Sequence, residues 1–173
     1  MEKGYVQIYT GNGKGKTTAA LGLITRAVGH NFKIFLCQFL KGRDYGELHT
    51  LQKFETVTYE RYGRGVFIKS KEFVTDEDKK LIREGYESLK NALLSGKFDI
   101  VIADEILGTL RYDLISVDEI KFLIKNKPET TELILTGRNA PDELIEMADL
   151  VTEMKEIKHY FQKGIMARKG IEK

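Results

Sequence analysis

The chain of 173 residues has no tryptophan, one cysteine, two prolines and three histidines. Each scarcity excludes something. With Cys37 alone, neither an internal disulfide nor a cysteine-based zinc site can form. Cys37 lies within the apolar run Ile34–Cys37 and reads as a buried strand thiol. His30, His49 and His159 show no metal-ligand spacing, and neither a Ser-His-Asp nor a Cys-His arrangement is discernible. No apolar run approaches the roughly 20 residues that span a membrane. Met1-Glu2-Lys3-Gly4 leads straight into an apolar stretch, so no signal peptide is expected and the expected location is cytoplasmic. The formal net charge is only +2, which argues against nucleic acid as a partner. There is no repeat and no linker, and 42% hydrophobic residues suffice for one core, so residues 1–173 are expected to form a single domain.

Against these absences stands the run Tyr9-Thr10-Gly11-Asn12-Gly13-Lys14-Gly15-Lys16-Thr17-Thr18. It follows the apolar stretch Val6–Tyr9 and precedes a segment of helical spacing. A strand, a glycine-rich turn and a helix in that order is the setting of a phosphate-binding loop. Glycines let successive N–H groups turn toward an anion, and the helix N-terminus adds partial positive charge. Lys16 would reach the phosphates, and the Thr17 hydroxyl would sit where Mg²⁺ is held. The general pattern expects its first glycine at position 10; here Thr10 occupies it and the glycine falls at Gly11, with Lys14 as an additional lysine.

Strand and helix signals alternate along the rest. Strands are expected at 6–9, 33–39, 56–62, 98–103, 132–136 and 150–154, and helices at 16–29, 46–54, 76–94, 116–125 and 141–147. Ser116 followed by Glu119 is a capping box. Continuous apolar strands separated by helices predict a doubly wound α/β fold, a mainly parallel sheet with helices on both faces. Ligands of such sheets bind outside the strands' carboxyl ends. The Thr10 loop, the Gln38–Arg43 turn, Asp104-Glu105 and Thr136-Gly137-Arg138 each follow a strand and are expected on that edge.

The residues leave several roles open. Asp104 and Glu105 either bind a cation or cap the following helix. Arg138, in a glycine turn, can grip phosphate as a fork, whereas Arg26 reads as a surface arginine. A triphosphate would need Lys14, Lys16 and at least one arginine besides a metal. The segment Arg61–Lys69, with its glycines, aromatics and basic residues, is either a flexible lid over a large flat ligand or an ordinary surface loop.

Taken together, Thr10–Thr18, Arg26-Ala-Val-Gly-His30, Gln38-Phe-Leu-Lys-Gly42, Asp104-Glu105-Ile106, Thr136-Gly137-Arg138, Ala148-Asp149 and Ile157-Lys158-His159 with Gly164 resemble one family. It is the P-loop type of ATP:corrinoid adenosyltransferase, which serves bacterial cobalamin biosynthesis and salvage. The resemblance covers nearly the whole chain. It implies a P-loop NTPase-like (RecA-like) domain that transfers the 5′-deoxyadenosyl group of ATP to the Co(I) of a reduced corrinoid and releases triphosphate. It assigns ATP binding to Gly11, Asn12, Gly13, Lys14, Gly15, Lys16, Thr17, Thr18, Arg26 and Arg138. It assigns Mg²⁺ to Thr17 and Glu105 with Asp104 in support, catalysis to Lys16 and Glu105, and corrinoid contact to Tyr62 and Phe67. A flavodoxin-type electron donor and a homodimer are implied as well. The chain departs from the family's pattern in lacking a tryptophan near the corrin ring and in starting its first strand within about five residues. The alternatives are a P-loop small-molecule kinase or NTPase and a nucleotide-gated binding protein.

Overall fold

The computed structural model describes residues 2–43 and 45–173. Strand β1 (Val6–Thr10) runs into the glycine loop, from which helix α1 (Lys16–Val28) rises. β2 (Ile34–Phe39), α2 (Gly46–Leu51), β3 (Val57–Tyr62) and the long α3 (Asp76–Leu94) follow. The second half holds β4 (Ile100–Asp104), α4 (Ile106–Leu110), α5 (Val117–Asn126), β5 (Glu132–Thr136), α6 (Asp142–Ile145) and β6 (Leu150–Glu153). Short 3₁₀ turns lie at Lys71–Phe73 and Tyr160–Lys163.

The strand order is β3-β2-β4-β5-β1-β6, and every neighbouring pair among the described residues is parallel. The expectation of a mainly parallel sheet is met in full. Every residue of β2, β4 and β5 is buried, because helices cover both faces of these central strands. The period-two alternation of a strand divides their side chains between two cores. Ile34, Leu36, Ile100, Ile102 and Ile134 pack under α1 and α2. Phe35, Cys37, Phe39, Val101, Ala103, Leu133 and Leu135 pack under α3, α5 and α6. Cys37 is fully buried, as its apolar neighbours predict, and burial pushes its thiol well up. The phosphate-loop strand β1 and the acidic strand β4 are separated by β5, an order that belongs to the RecA-like form of the P-loop NTPase fold.

Capping places two helix starts. Ser116 accepts the Glu119 amide while Glu119 accepts that of Ser116, the predicted box. Thr75 and Asp78 form a second box at the start of α3. The sequence did not predict α4. It is five residues long, too short to display a period, and it begins directly after Glu105, whose φ of 63° turns the chain sharply. No helix among the described residues is long and apolar enough to cross a membrane.

Candidate active site

The phosphate loop is shaped by its contact with the strand edge behind it. The Gly13 amide donates to the Met154 carbonyl (2.6 Å), and the Met154 amide donates to that of Thr10 (2.8 Å). A Cβ on Gly11 or Gly13 would come within 2.5 or 2.6 Å of the Met154 oxygen, and Gly11 also has φ +94°. These two facts explain the displaced glycine. Thr10 still belongs to β1, and its hydroxyl accepts the Ala140 amide (3.1 Å), so the left-handed residue comes one position later. Lys16 folds back into the loop, where its ammonium donates to the carbonyls of Gly11 (2.7 Å) and Gly13 (2.8 Å). Its side chain is only 8% exposed, and burial lowers its pKa although Glu105 partly offsets the effect. Asn12 and Thr18 sit on the exposed side of the loop.

Asp104, at the carboxyl end of β4, is the polar hub and has no exposed surface. One oxygen accepts the hydroxyls of Thr17 (2.9 Å) and Thr136 (2.7 Å). The other accepts Gln38 Nε2 (3.1 Å) and Lys41 Nζ (2.7 Å). Lys41 also donates to Thr17 Oγ1 (3.1 Å), so its ammonium bridges hydroxyl and carboxylate. Burial alone would raise the Asp104 pKa. Lys41 and the Thr136 and Thr17 hydroxyls outweigh it and hold the carboxyl below its usual range. Gln38 Oε1 is buried beside this hub without a hydrogen-bond partner among the described residues.

Glu105 is half-buried, and no hydrogen bond among the described residues reaches its carboxylate. Its backbone N–H donates to Thr136 Oγ1 (2.9 Å). Burial raises its pKa, Asp104 adds to the rise, and Lys41, Lys16 and Arg138 oppose it. The missing Cβ of Gly108 makes room for it, since one there would lie 2.7 Å from Glu105 Oε1. Gly137, with φ +144°, crosses the start of α4 so closely that a Cβ would meet the Gly108 nitrogen at 2.8 Å. That close passage delivers Arg138 to the edge, where its charge acts on both Lys16 and Glu105.

The structure thus gathers Gly11 to Thr18, Asp104, Glu105 and Arg138 on one sheet edge. Three of the expected site residues are held elsewhere in the chain. Arg26 lies in the last turn of α1, ten residues and about 15 Å of helix rise from Lys16. It borders a cleft with Gln7, His30 and Glu132 at the opposite end of the sheet, so within one chain it does not join the phosphate loop. Tyr62 ends β3 and is a packing residue. Its ring lies against Gly85 of α3, where a Cβ would be 2.6 Å away, and its hydroxyl donates to Glu60 (2.6 Å). Lys14 pairs with Glu172 near the end of the chain (2.9 Å).

The segment after β3 is anchored rather than free. Arg64 forms a two-pronged ion pair with Asp78 (both contacts 2.7 Å), and the Ile68 carbonyl accepts the Tyr112 hydroxyl (2.6 Å). Arg43 holds the Gly65 carbonyl (2.8 Å), tying the segment to the turn that carries Lys41. Between these anchors Phe67 stands out, 79% exposed. Sequence reasoning placed Gln38, Lys41 and Thr136 on this edge but gave them no role; their position just after strands was the available signal.

A family model described as ATP:corrinoid adenosyltransferase BtuR/CobO/CobP matches residues 2–172. A corrinoid adenosyltransferase of Sinorhizobium sp is 39% identical over 175 residues, spanning 99% of this chain and 81% of that protein. A corrinoid adenosyltransferase of Escherichia coli K12 is 34% identical over 172 residues, spanning 99% of this chain and 86% of that protein. Among solved structures, the flagellar accessory protein FlaH from Methanocaldococcus jannaschii is similar with a TM-score of 0.54. It covers 88% of this chain and 72% of that one at 12% identity, a likeness of fold alone.

Proposed function

Because the chain belongs to the ATP:corrinoid adenosyltransferase family, we propose that it moves the 5′-deoxyadenosyl group of ATP onto the Co(I) of a reduced corrinoid at the edge formed by β1, β4 and β5. The cobalt electron pair forms the Co–C5′ bond, and the C5′–O bond breaks with its pair leaving on the triphosphate. A nucleophile as strong as Co(I) needs neither a protein nucleophile nor a general base. The protein's work is to align C5′ with cobalt, neutralise the leaving group and exclude water. The observation that carries this reading is Lys16, held at the Gly11 and Gly13 carbonyls of the glycine loop and close enough to Arg138, Glu105 and Asp104 for their charges to act on it.

Mg²⁺ suits the donors present. Thr17 gives its proton to Asp104 and accepts from Lys41, which leaves one lone pair of its oxygen for a cation. Among the described residues, the Glu105 carboxylate accepts no hydrogen bond and Gln38 Oε1 is a buried acceptor without a partner. No three acidic, histidine or cysteine side chains converge among the described residues. That accords with a nucleotide Mg²⁺, which takes few protein ligands and completes its shell with phosphate and water. Thr17 and Glu105 would hold it, and it would neutralise part of the triphosphate charge. Asp104 orients Thr17.

Phe67 would cover the corrinoid. In support, it is an exposed aromatic held between two anchors beside the Lys41 turn. Phe67→Ala is expected to raise KM for the corrinoid about tenfold or more, while ATP affinity and thermal stability stay unchanged. Tyr62→Ala should do the reverse, lowering the unfolding free energy by about 3 kcal/mol with little change in corrinoid KM. Equal corrinoid kinetics in wild type and Phe67→Ala would move the lid elsewhere.

A cytoplasmic homodimer, whose bound corrinoid takes one electron from a flavodoxin-type donor to pass from Co(II) to Co(I), completes the proposal. The open edge of β6, with Leu150 and Val151 exposed, supports a second copy as neighbour. Incubation with ATP, Mg²⁺ and chemically reduced corrinoid tests the function. Triphosphate and an adenosylated corrinoid are expected in equal amounts. ADP as product would indicate phosphoryl transfer, and unchanged ATP a binding protein.

A further inference from the structure

Beyond β6 the chain turns back over the phosphate loop, and its last residues end on Lys14. The Lys14 ammonium donates to Glu172 Oε1 (2.9 Å), to the Tyr160 hydroxyl oxygen (3.2 Å) and to the Ile171 carbonyl (3.4 Å). Glu172 also accepts the Tyr160 hydroxyl, the Arg168 amide (2.8 Å) and the Arg168 guanidinium (3.1 and 3.3 Å). Arg168 in turn lies over the Tyr160 ring at 4.8 Å. Three cationic or hydroxyl donors therefore converge on one carboxylate at the rim of a phosphate-binding loop.

The loop lysine has two possible partners of the same kind. Glu172 presents a single negative charge, whereas a triphosphate presents several within reach of the same flexible stem. Charge-assisted hydrogen bonds strengthen with the acceptor's charge, so phosphate out-competes the carboxylate for Lys14. A triphosphate also brings negative charge toward Glu172, which repels it. A cleft of about 330 Å³ between Gly13, Lys155, Lys158 and Tyr160 gives the ammonium room to leave.

We propose that Glu172 and Tyr160 are positioning residues that clasp Lys14 away from the phosphates. ATP binding then transfers the Lys14 ammonium to the triphosphate and frees residues 160–172 from the loop. This rests on the reading that the Gly11–Thr18 loop holds the triphosphate. The clasp makes nucleotide affinity depend on a tail outside the nucleotide's own contacts.

The test is ATP binding by calorimetry with Mg²⁺, on the full chain, for wild type, Glu172→Gln, Lys14→Met, the double variant and Lys16→Ala. Glu172→Gln is expected to tighten ATP binding about 1.4-fold to fivefold, the range set by the coupling of exposed ion pairs. In the Lys14→Met background the same change should have no effect. Hydrogen exchange supplies a second readout: ATP should speed exchange across residues 160–172 of the wild type. Equal tightening in both backgrounds, no tightening at all, or slower tail exchange with ATP would overturn the clasp while Lys16→Ala still loses affinity. If Lys16→Ala keeps full ATP affinity, the loop does not hold the triphosphate and the clasp falls with that reading.

Discussion

Lys16→Ala is expected to lower kcat/KM for ATP by about two to three orders of magnitude, the usual cost of removing one preorganised charge from a developing anion. Lys16 is the cation closest to the loop interior, 2.7 Å from the Gly11 carbonyl and 8% exposed. The other two nearby lysines hold different positions: Lys14 pairs with Glu172 at the rim of the loop, and Lys41 is bound to Asp104. The truncation removes two hydrogen bonds to loop carbonyls but no core contact, so the far-ultraviolet circular dichroism should not change. Steady-state kinetics with saturating reduced corrinoid measure the loss. Full activity would remove the loop from the mechanism.

The second large effect separates two adjacent carboxylates. Asp104→Asn keeps the shape but turns an acceptor with no exposed surface into a group with two N–H donors, facing Thr17, Thr136 and Lys41. It leaves the Lys41 ammonium without its partner. Breaking a buried pair in this way is expected to cost about 3–5 kcal/mol of unfolding free energy, read from denaturant titration. The Asp104 pKa is depressed in the folded protein. Its contribution is therefore complete above the unfolded value of about 3.9 and is lost as pH falls through the lower folded value. Asp104→Asn should thus be destabilised at neutral pH and converge on wild type in acid.

Glu105→Gln should behave differently, because its carboxylate has no hydrogen bond to lose among the described residues. Stability is expected to stay within about 0.5 kcal/mol. The rate should fall by about two orders of magnitude or more, with a higher Mg²⁺ requirement. Metal titrations of activity compare the two. Should Asp104→Asn shift the Mg²⁺ requirement and Glu105→Gln only the stability, their roles are exchanged.

Much of this was legible because it depends on neighbours in the chain. The apolar runs from Ile34, Ile100 and Glu132 could only be strands covered on both faces, and the Gly11–Thr17 loop between β1 and α1 needed no distant contact to be recognised. Ser116 and Glu119, three residues apart, announced a helix start that the structure contains. The carboxyl-edge rule for parallel sheets then brought Asp104, Glu105 and Arg138 to the loop before any distance was known.

Local sequence settled the strands, most of the helix starts and the glycine loop between β1 and α1, since each follows from backbone conformation and periodicity over a few residues. Tertiary structure alone decided which side chains meet there. Asp104 became the hub through Lys41, 63 residues away, and Thr136, 32 residues away. Tyr62 was drawn under α3 by the space at Gly85, and Arg26 was carried to the far end of the sheet by the length of α1. Lys14 turned to Glu172 across 158 residues. Pairings of that kind depend on how the sheet orders its strands and on where a buried charge finds its partner, and neither is written in any short stretch of the chain.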